Sequence, residues 1–343
     1  MEAPPVQYTT TPDGFSIAYS VVGAGRPIVF LPLGLNHIQL AWKHDGRINS
    51  WLEELASRFR LIQYDTRGEG MSGRGLDVDH TMADYQTDLE AVINRLKLDR
   101  VVLLGYFYSG HVAIRYAMEH PDRVEALVLV STSIAMDDWP IGSLLQMAER
   151  NWEAMLYNWV PPTATPEERA GYLSFFKETR TQADWLTSAR VFTRSSVAGE
   201  IDSLMTPTLV LHPREFLWLP PAESARLAAR ITNARFSLID GVLPLGDAKQ
   251  GVQAIESFLM DVGSGEVVAA PPQGPRPTDL SSRELEVLRL ITAGRSNQQI
   301  ADELVISLNT VARHVSNIFI KIGAANRAEA AAFAVRHDLL NTK

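Results

Sequence analysis

The sequence predicts an α/β domain, a mostly parallel sheet with a helical lid, followed by a small all-α domain. Three observations carry this reading. Unbroken apolar runs such as Val101-Val102-Leu103-Leu104 alternate with stretches of helical period through residues 27–260, and strands that are apolar on both sides belong in a parallel sheet covered by helices on each face. Residues 262–277 are dense in Gly and Pro and lack helical period, the composition of a semi-flexible linker. Beyond them, helix-capping signatures punctuate short amphipathic stretches. A length of 343 residues suits this division, because one core rarely grows past about 250–300 residues. The expected domains are 1–261 and 278–343, joined by 262–277, with no internal repeats.

Taken in order, residues 8–22 around Pro12-Asp13-Gly14 read as a β-hairpin. Strands are expected at 27–31, 59–65, 101–105, 124–131, 207–212 and 234–240. Helical period appears at 48–57, 83–96, 110–120, 221–231 and 247–260. Between Ser131 and Pro207 lies an insertion, about 134–205, that holds Trp139, Trp152, Trp159 and Trp185, four of the seven tryptophans. Such an apolar excess at that place reads as a helical lid over the strand ends. Past the linker, Ser281 and Glu284 form one capping box, and Ser296 with Gln299 a second. Gly294 is placed to end the first helix, because the C′ position favours positive φ. A third helix, capped by Ser307, is expected over 308–322, with Val311, Val315, Ile318 and Phe319 facing inward.

Composition narrows the function classes. Apolar residues at 46% and charged residues at 21% describe an ordinary globular chain, and a cysteine count of zero excludes disulfides and thiolate metal sites. No secretory signal and no membrane-length apolar stretch is visible, so a cytoplasmic protein is expected. No cofactor motif appears. From Thr278 onward there are 8 Lys and Arg against 7 Asp and Glu, a net of +1, so the remainder carries −9 of the chain's −8.

Leu280-Ser281-Ser282-Arg283-Glu284-Leu285, Gly294-Arg295-Ser296-Asn297-Gln298-Gln299-Ile300-Ala301, Ser307-Leu308-Asn309-Thr310-Val311-Ala312-Arg313-His314-Val315-Ser316-Asn317-Ile318, Lys321-Ile322-Gly323 and Arg327-Ala328-Glu329-Ala330 together resemble the LuxR-type helix-turn-helix domain. The resemblance implies a third helix in the major groove of double-stranded DNA. It places Ala312, Arg313 and Ser316 on base edges. Arg313 stands out, because a guanidinium grips guanine O6 and N7 together, worth roughly 1–3 kcal/mol of discrimination. Asn309, Thr310, His314, Asn317 and Lys321 suit phosphate contacts or packing, which position without specifying sequence; His314 reads equally well as a structural histidine. So small a positive charge binds weakly alone, so a homodimer reading two half-sites is expected.

In the first domain, Asp65-Thr66-Arg67-Gly68-Glu69-Gly70-Met71-Ser72, Leu104-Gly105-Tyr106-Phe107-Tyr108-Ser109-Gly110-His111 and His120-Pro121-Asp122-Arg123 resemble the α/β-hydrolase fold. That family sets its nucleophile on a strained strand-to-helix turn between small residues. Here Gly105 and Ser109 keep the frame, and the nucleophile position is Phe107. The acid position falls near Phe216, with Glu215 adjacent; the base loop, 240–247, has no histidine; and the oxyanion loop reads Pro32-Leu33, where proline has no N–H to donate. The sequence thus leads to the expectation of no enzyme, but a small-molecule sensor with an aromatic cavity. Its ligand-binding residues are expected to be Pro32, Leu33, His37, Tyr106, Phe107, Tyr108, Trp139, Trp152, Trp159, Phe216, Trp218 and Leu243, with Tyr106, Tyr108, His37 or Arg214 orienting an apolar or aromatic ligand. His37 and His111 read either as pocket-lining or as satisfied structural histidines, and Asp65, Arg67 and Ser72 as a turn network. The expected function is ligand-responsive transcription regulation. A hydrolase with an unconventional nucleophile such as Ser109, and a scaffold docking a protein partner, stand as alternatives.

Overall fold

In a computed structural model, the chain divides into two units, Met1–Ala269 and Ala270–Lys343. The structure describes residues 2–32, 34–44, 46–136, 141–160, 164–216, 218–264, 280–322, 324, 327–336 and 339. In the first unit β1 (Gln7–Thr10) and β2 (Ser16–Val22) form an antiparallel hairpin with Tyr8 opposite Ala18. They join β3 (Pro27–Phe30), β4 (Arg60–Tyr64), β5 (Val101–Tyr106), β6 (Val124–Val130), β7 (Thr208–Pro213) and β8 (Ala234–Ile239). The sheet order is β1-β2-β4-β3-β5-β6-β7-β8. Every pair from β4 to β8 is parallel.

The unbroken apolar runs find their reason in this sheet. Along β5, Val101 and Leu103 pack on one face with Leu89 and Val92 of α3 (Met82–Arg95) and Ile114 of α4 (Ser109–Glu119). Val102 and Leu104 pack on the other, against α2 (Gly46–Arg58), which supplies Trp51, Leu52 and Leu55. A strand wet on one side would alternate. This one is 0% exposed from Val101 to Leu104, each such side chain contributing roughly 1.5–3 kcal/mol of burial. The short α1 (Ala41–His44) precedes α2. Residues 141–192 supply the lid helices α5 (Ile141–Arg150), α6 (Trp152–Tyr157), α7 (Pro166–Thr179) and α8 (Gln182–Phe192). Then α9 (Pro221–Arg230) and α10 (Ala248–Gly263) complete the layers. The last helix reaches Gly263, so the first residues read as linker are helical; 265–277 lie outside the described residues.

In the second unit, α11 (Ser282–Thr292), α12 (Asn297–Leu304) and α13 (Leu308–Ile322) begin at the expected caps, with Ser281–Glu284 and Ser296–Gln299 both reciprocal. Gly294 has φ +79°. A fourth helix, α14 (Arg327–Arg336), adds Ala330, Phe333 and Ala334 to the core of Val287, Leu288, Ile300, Val311 and Ile318. Its alanine-rich sequence forms helix by propensity rather than by a strong apolar stripe, so no amphipathic period announces it. No helix among the described residues is long and apolar enough to cross a membrane.

Candidate functional site

At the end of β5 the chain turns into α4 through Phe107, which holds φ +52°, a conformation that costs a β-carbon-bearing residue and persists only where surroundings enforce it. The turn closes because Gly105 has no side chain; a Cβ there would lie 2.7 Å from the Gly110 Cα. Phe107 is 4% exposed, with its ring 4.1 Å from Tyr106 and 5.7 Å from Phe216. Ser109, offered above as a displaced nucleophile, is committed locally: its hydroxyl accepts from Tyr106 N–H and donates to Tyr106 O, both at 2.8 Å. Glu215 is exposed.

Above this elbow lies a cavity of about 550 Å³. Its wall includes Tyr106, Phe107, Tyr108, Trp159, Trp218 and Leu243, together with Leu144, Phe176, Arg180, Trp185 and Phe192, which sequence reasoning did not select. Tyr108 stacks on Phe192 with centroids 3.4 Å apart, and Trp159 meets Trp218 tilted at 53°, 4.9 Å away. Five residues expected at the cavity are elsewhere. His37 Nδ1 accepts the backbone N–H of Gln39 and Leu40, both at 3.3 Å, so this ring caps a turn. Trp152 packs within the lid on Trp185, 5.8 Å away. Phe216 lies behind Phe107 and is 6% exposed, and Pro32 is buried just after β3 away from the wall. Arg214 is exposed and paired with Asp240 at 3.3 Å rather than turned inward. Leu33 and Trp139 lie outside the described residues. What the sequence hid was burial: the lid sequence shows which residues are aromatic but not which side of each helix faces the sheet.

His111 and His212 are pinned structural groups. His111 Nε2 lies 2.9 Å from Ser133 O and its Nδ1 2.7 Å from Ser195 Oγ. A carbonyl can only accept, so Nε2 carries the proton in the neutral ring and Ser195 donates to Nδ1. The same logic gives His212 an Nε2–H to Leu219 O at 3.0 Å. Burial depresses both imidazoles to about 4. A depressed histidine contributes stability fully above its unfolded value near 6.5 and loses it as pH falls toward 4, on the order of 3 kcal/mol per ring. Asp65 acts in the opposite sense: burial raises it to about 7. The wild-type loss of stability between pH 6.5 and 4 is therefore expected to exceed that of His111→Asn. Urea midpoints across that range check it, and equal slopes would refute the assignment.

In the second unit, α13 turns Ala312, Arg313 and Asn317 outward, all exposed. Of the groups expected to serve phosphate contacts or packing, two make contacts within the unit. Thr310 N–H donates to Ser307 Oγ at 3.1 Å, with the two hydroxyls 2.7 Å apart, so Thr310 serves the helix cap. Lys321 Nζ is 2.7 Å from Glu284 Oε2, whose side chain is 4% exposed, so this cation ties α13 to α11. His314 is half-buried, and its Nδ1 has no hydrogen-bond partner among the described residues. The side chains of Asn309 and Ser316 lie outside the described ones.

Comparison with known proteins places both units. Residues 278–334 match the family model for bacterial regulatory proteins of the luxR family, and residues 27–182 that for the α/β hydrolase fold. The chain joins an α/β-hydrolase domain to a LuxR-family domain. A LuxR-family domain makes it a DNA-binding regulator. In Bacillus subtilis, the AB hydrolase superfamily protein YisY is 28% identical over 229 residues, 61% of this chain and 81% of the relative. A pimeloyl–acyl carrier protein methyl ester esterase from Nitrosomonas europaea is 25% identical over 212 residues, 57% of this chain and 82% of the relative. Among solved structures, a thermophilic esterase from Thermogutta terrifontis superposes with a TM-score of 0.61 at 23% identity, over 75% of this chain and 99% of its own. These relatives overturn the expectation that the first domain is no enzyme. The inference from Phe107, the acid position near Phe216, the histidine-free loop 240–247 and Pro32 was too broad: these positions close the usual triad route of acyl transfer, and activity in the fold is not excluded by that alone.

Proposed function

We propose that the protein is a one-component transcription regulator in which a small apolar or aromatic molecule occupies the cavity of the α/β-hydrolase domain and changes DNA binding by the LuxR-family domain. The observation that carries this reading is the aromatic-walled cavity of about 550 Å³ on the same chain as a DNA-binding domain, a volume within the range of small-molecule pockets. The chain between α10 and α11 acts as the tether. A ligand exerts control only through different affinity for two arrangements of the protein, here the arrangements of two DNA-binding domains in a homodimer. Arg313 reads the base edge; Ala312 and Ser316 line the same face of the helix.

Thermal unfolding in the presence of a panel of small aromatic compounds tests the reading, followed by DNA binding with and without each stabilising compound. At least one compound is expected to raise the melting temperature and shift DNA affinity; a panel that does neither counts against the proposal. The relatives favour a second reading for the same cavity, turnover of a small ester. Release of p-nitrophenol from short-chain esters above the buffer rate supports it, and no release rejects it for those esters.

A further inference from the structure

Arg180 is the polar group that sets the chemistry of the cavity. It follows the last turn of α7 in extended backbone, φ −157° and ψ 146°, which carries its side chain away from the helix axis. The residue is 1% exposed and forms part of the wall. Its Nε donates to Gly68 O at 3.2 Å. Its Nη2 lies 3.4 Å from Glu69 Oε2, an ion pair without hydrogen-bond geometry, and among the described residues neither of those two atoms has any other hydrogen-bond partner. The second oxygen of Glu69 is occupied by Asn36 N–H at 3.0 Å. A guanidinium is rarely buried with an N–H unanswered, and this one is set among Phe107, Tyr108, Phe176, Trp185 and Phe192.

We infer that the ligand is a small monocarboxylic acid with an apolar or aromatic body, its carboxylate received by the Arg180 guanidinium. The inference rests on the cavity being a ligand site, as proposed above. A guanidinium offers a planar fork that matches two carboxylate oxygens, and the bond is charge-assisted at both ends. A neutral carbonyl or hydroxyl satisfies one N–H and leaves that charge term unused. The aromatic wall around Arg180 suits the rest of the molecule. The distribution of charge selects one carboxylate rather than several, because Glu53, Glu54 and Asp247 also line the cavity and Lys249 is the other cation on the wall. Burial raises the Glu69 and Asp65 carboxyls from their ordinary values.

Isothermal titration of the full-length protein with matched pairs tests the inference: 4-phenylbutyrate against 4-phenylbutanamide, 1-naphthylacetate against 1-naphthylacetamide, and decanoate against decanol. In the wild type, at least one acid is expected to bind about tenfold or more tightly than its neutral partner. The double variant Arg180→Met/Glu69→Gln, which removes both charges and strands neither, is expected to abolish the preference. Should that variant not fold, Arg180→Lys keeps the charge without the planar fork and is expected to show an intermediate preference. Neutral partners that bind as tightly as the acids in the wild type overturn the carboxylate assignment and leave the cavity a ligand site. So does a preference that survives in the double variant, or one that Arg180→Lys leaves at its full wild-type size. Failure of every member of every pair overturns both.

Discussion

Replacing Asp88 with alanine is expected to destabilise the α/β-hydrolase domain by about 3–5 kcal/mol, the cost of stranding one partner of a buried ion pair. Asp88 is 0% exposed and accepts four contacts: Thr66 Oγ1 at 2.6 Å, Arg67 N–H at 2.9 Å, Arg67 Nε at 2.8 Å and Arg67 Nη2 at 2.8 Å. The Arg67 side chain is 3% exposed, lies 4.5 Å over the Phe15 ring and reaches Asp13 at 2.7 Å. Without Asp88 the guanidinium keeps only Asp13 at 2.7 Å and the longer contact to Asp84 at 3.5 Å while remaining out of water. The loss is a large share of the roughly 5–15 kcal/mol that holds a domain together. All seven tryptophans lie before residue 219, so their fluorescence in a urea titration reports this domain alone. The companion variant Arg67→Met/Asp88→Leu removes both charges and is expected to lose much less. A midpoint unchanged in Asp88→Ala, or a double variant as unstable as the single one, would show that the pair is not what holds the turn to α3.

That turn shows how much the sequence disclosed. Its reading as a turn network was available from residue types, and Ser72 Oγ donates to Asp65 O; the Asp65 carboxylate, however, accepts from Asn36 and Ile38 outside the turn as well as from Met71, and Arg67 donates to Asp88 and Asp13. The strands were legible for a similar reason: 101–104 are apolar without a break because both faces of β5 are covered. Caps at Ser281 and Ser296 were legible since the capping box is written in two residues three apart. What sequence could not supply was direction. His37 stands two residues from a cavity residue, Leu35, and points into its own turn. Lys321 looks like a phosphate contact on a helical wheel and is drawn to Glu284 by a helix that the wheel omits. Nothing in the sequence marks Arg180, since a cation is ordinarily solvated, and only packing shows that this one is buried. The step from Phe107, Phe216, loop 240–247 and Pro32 to an inert domain failed for a different reason. Missing triad positions exclude one chemical route, whereas activity belongs to the whole cavity.

The contrast between Arg313 and Lys321 turns this difference of direction into a measurable one. Arg313→Ala is expected to lower the preference for a cognate duplex over a scrambled one by about 1–3 kcal/mol, since a bidentate pair with guanine discriminates by that amount, and to leave folding intact because the side chain is exposed. Lys321→Ala is expected to act on the fold. It leaves Glu284, with 4% of its side chain exposed, without its cation; a half-exposed pair of this kind is worth about 1 kcal/mol, or roughly 4–8 °C in a unit of this size. Tryptophan is absent beyond residue 278, so hydrogen exchange of the α11 and α13 amides is the appropriate readout, with duplex competition at fixed salt for DNA. Faster exchange in Lys321→Ala with an unchanged cognate-to-scrambled ratio, and the reverse in Arg313→Ala, assigns one residue to holding the helices together and the other to reading sequence. If both variants weaken cognate and scrambled duplexes equally, α13 touches only the phosphate backbone, and the base-reading role given to Arg313 is wrong.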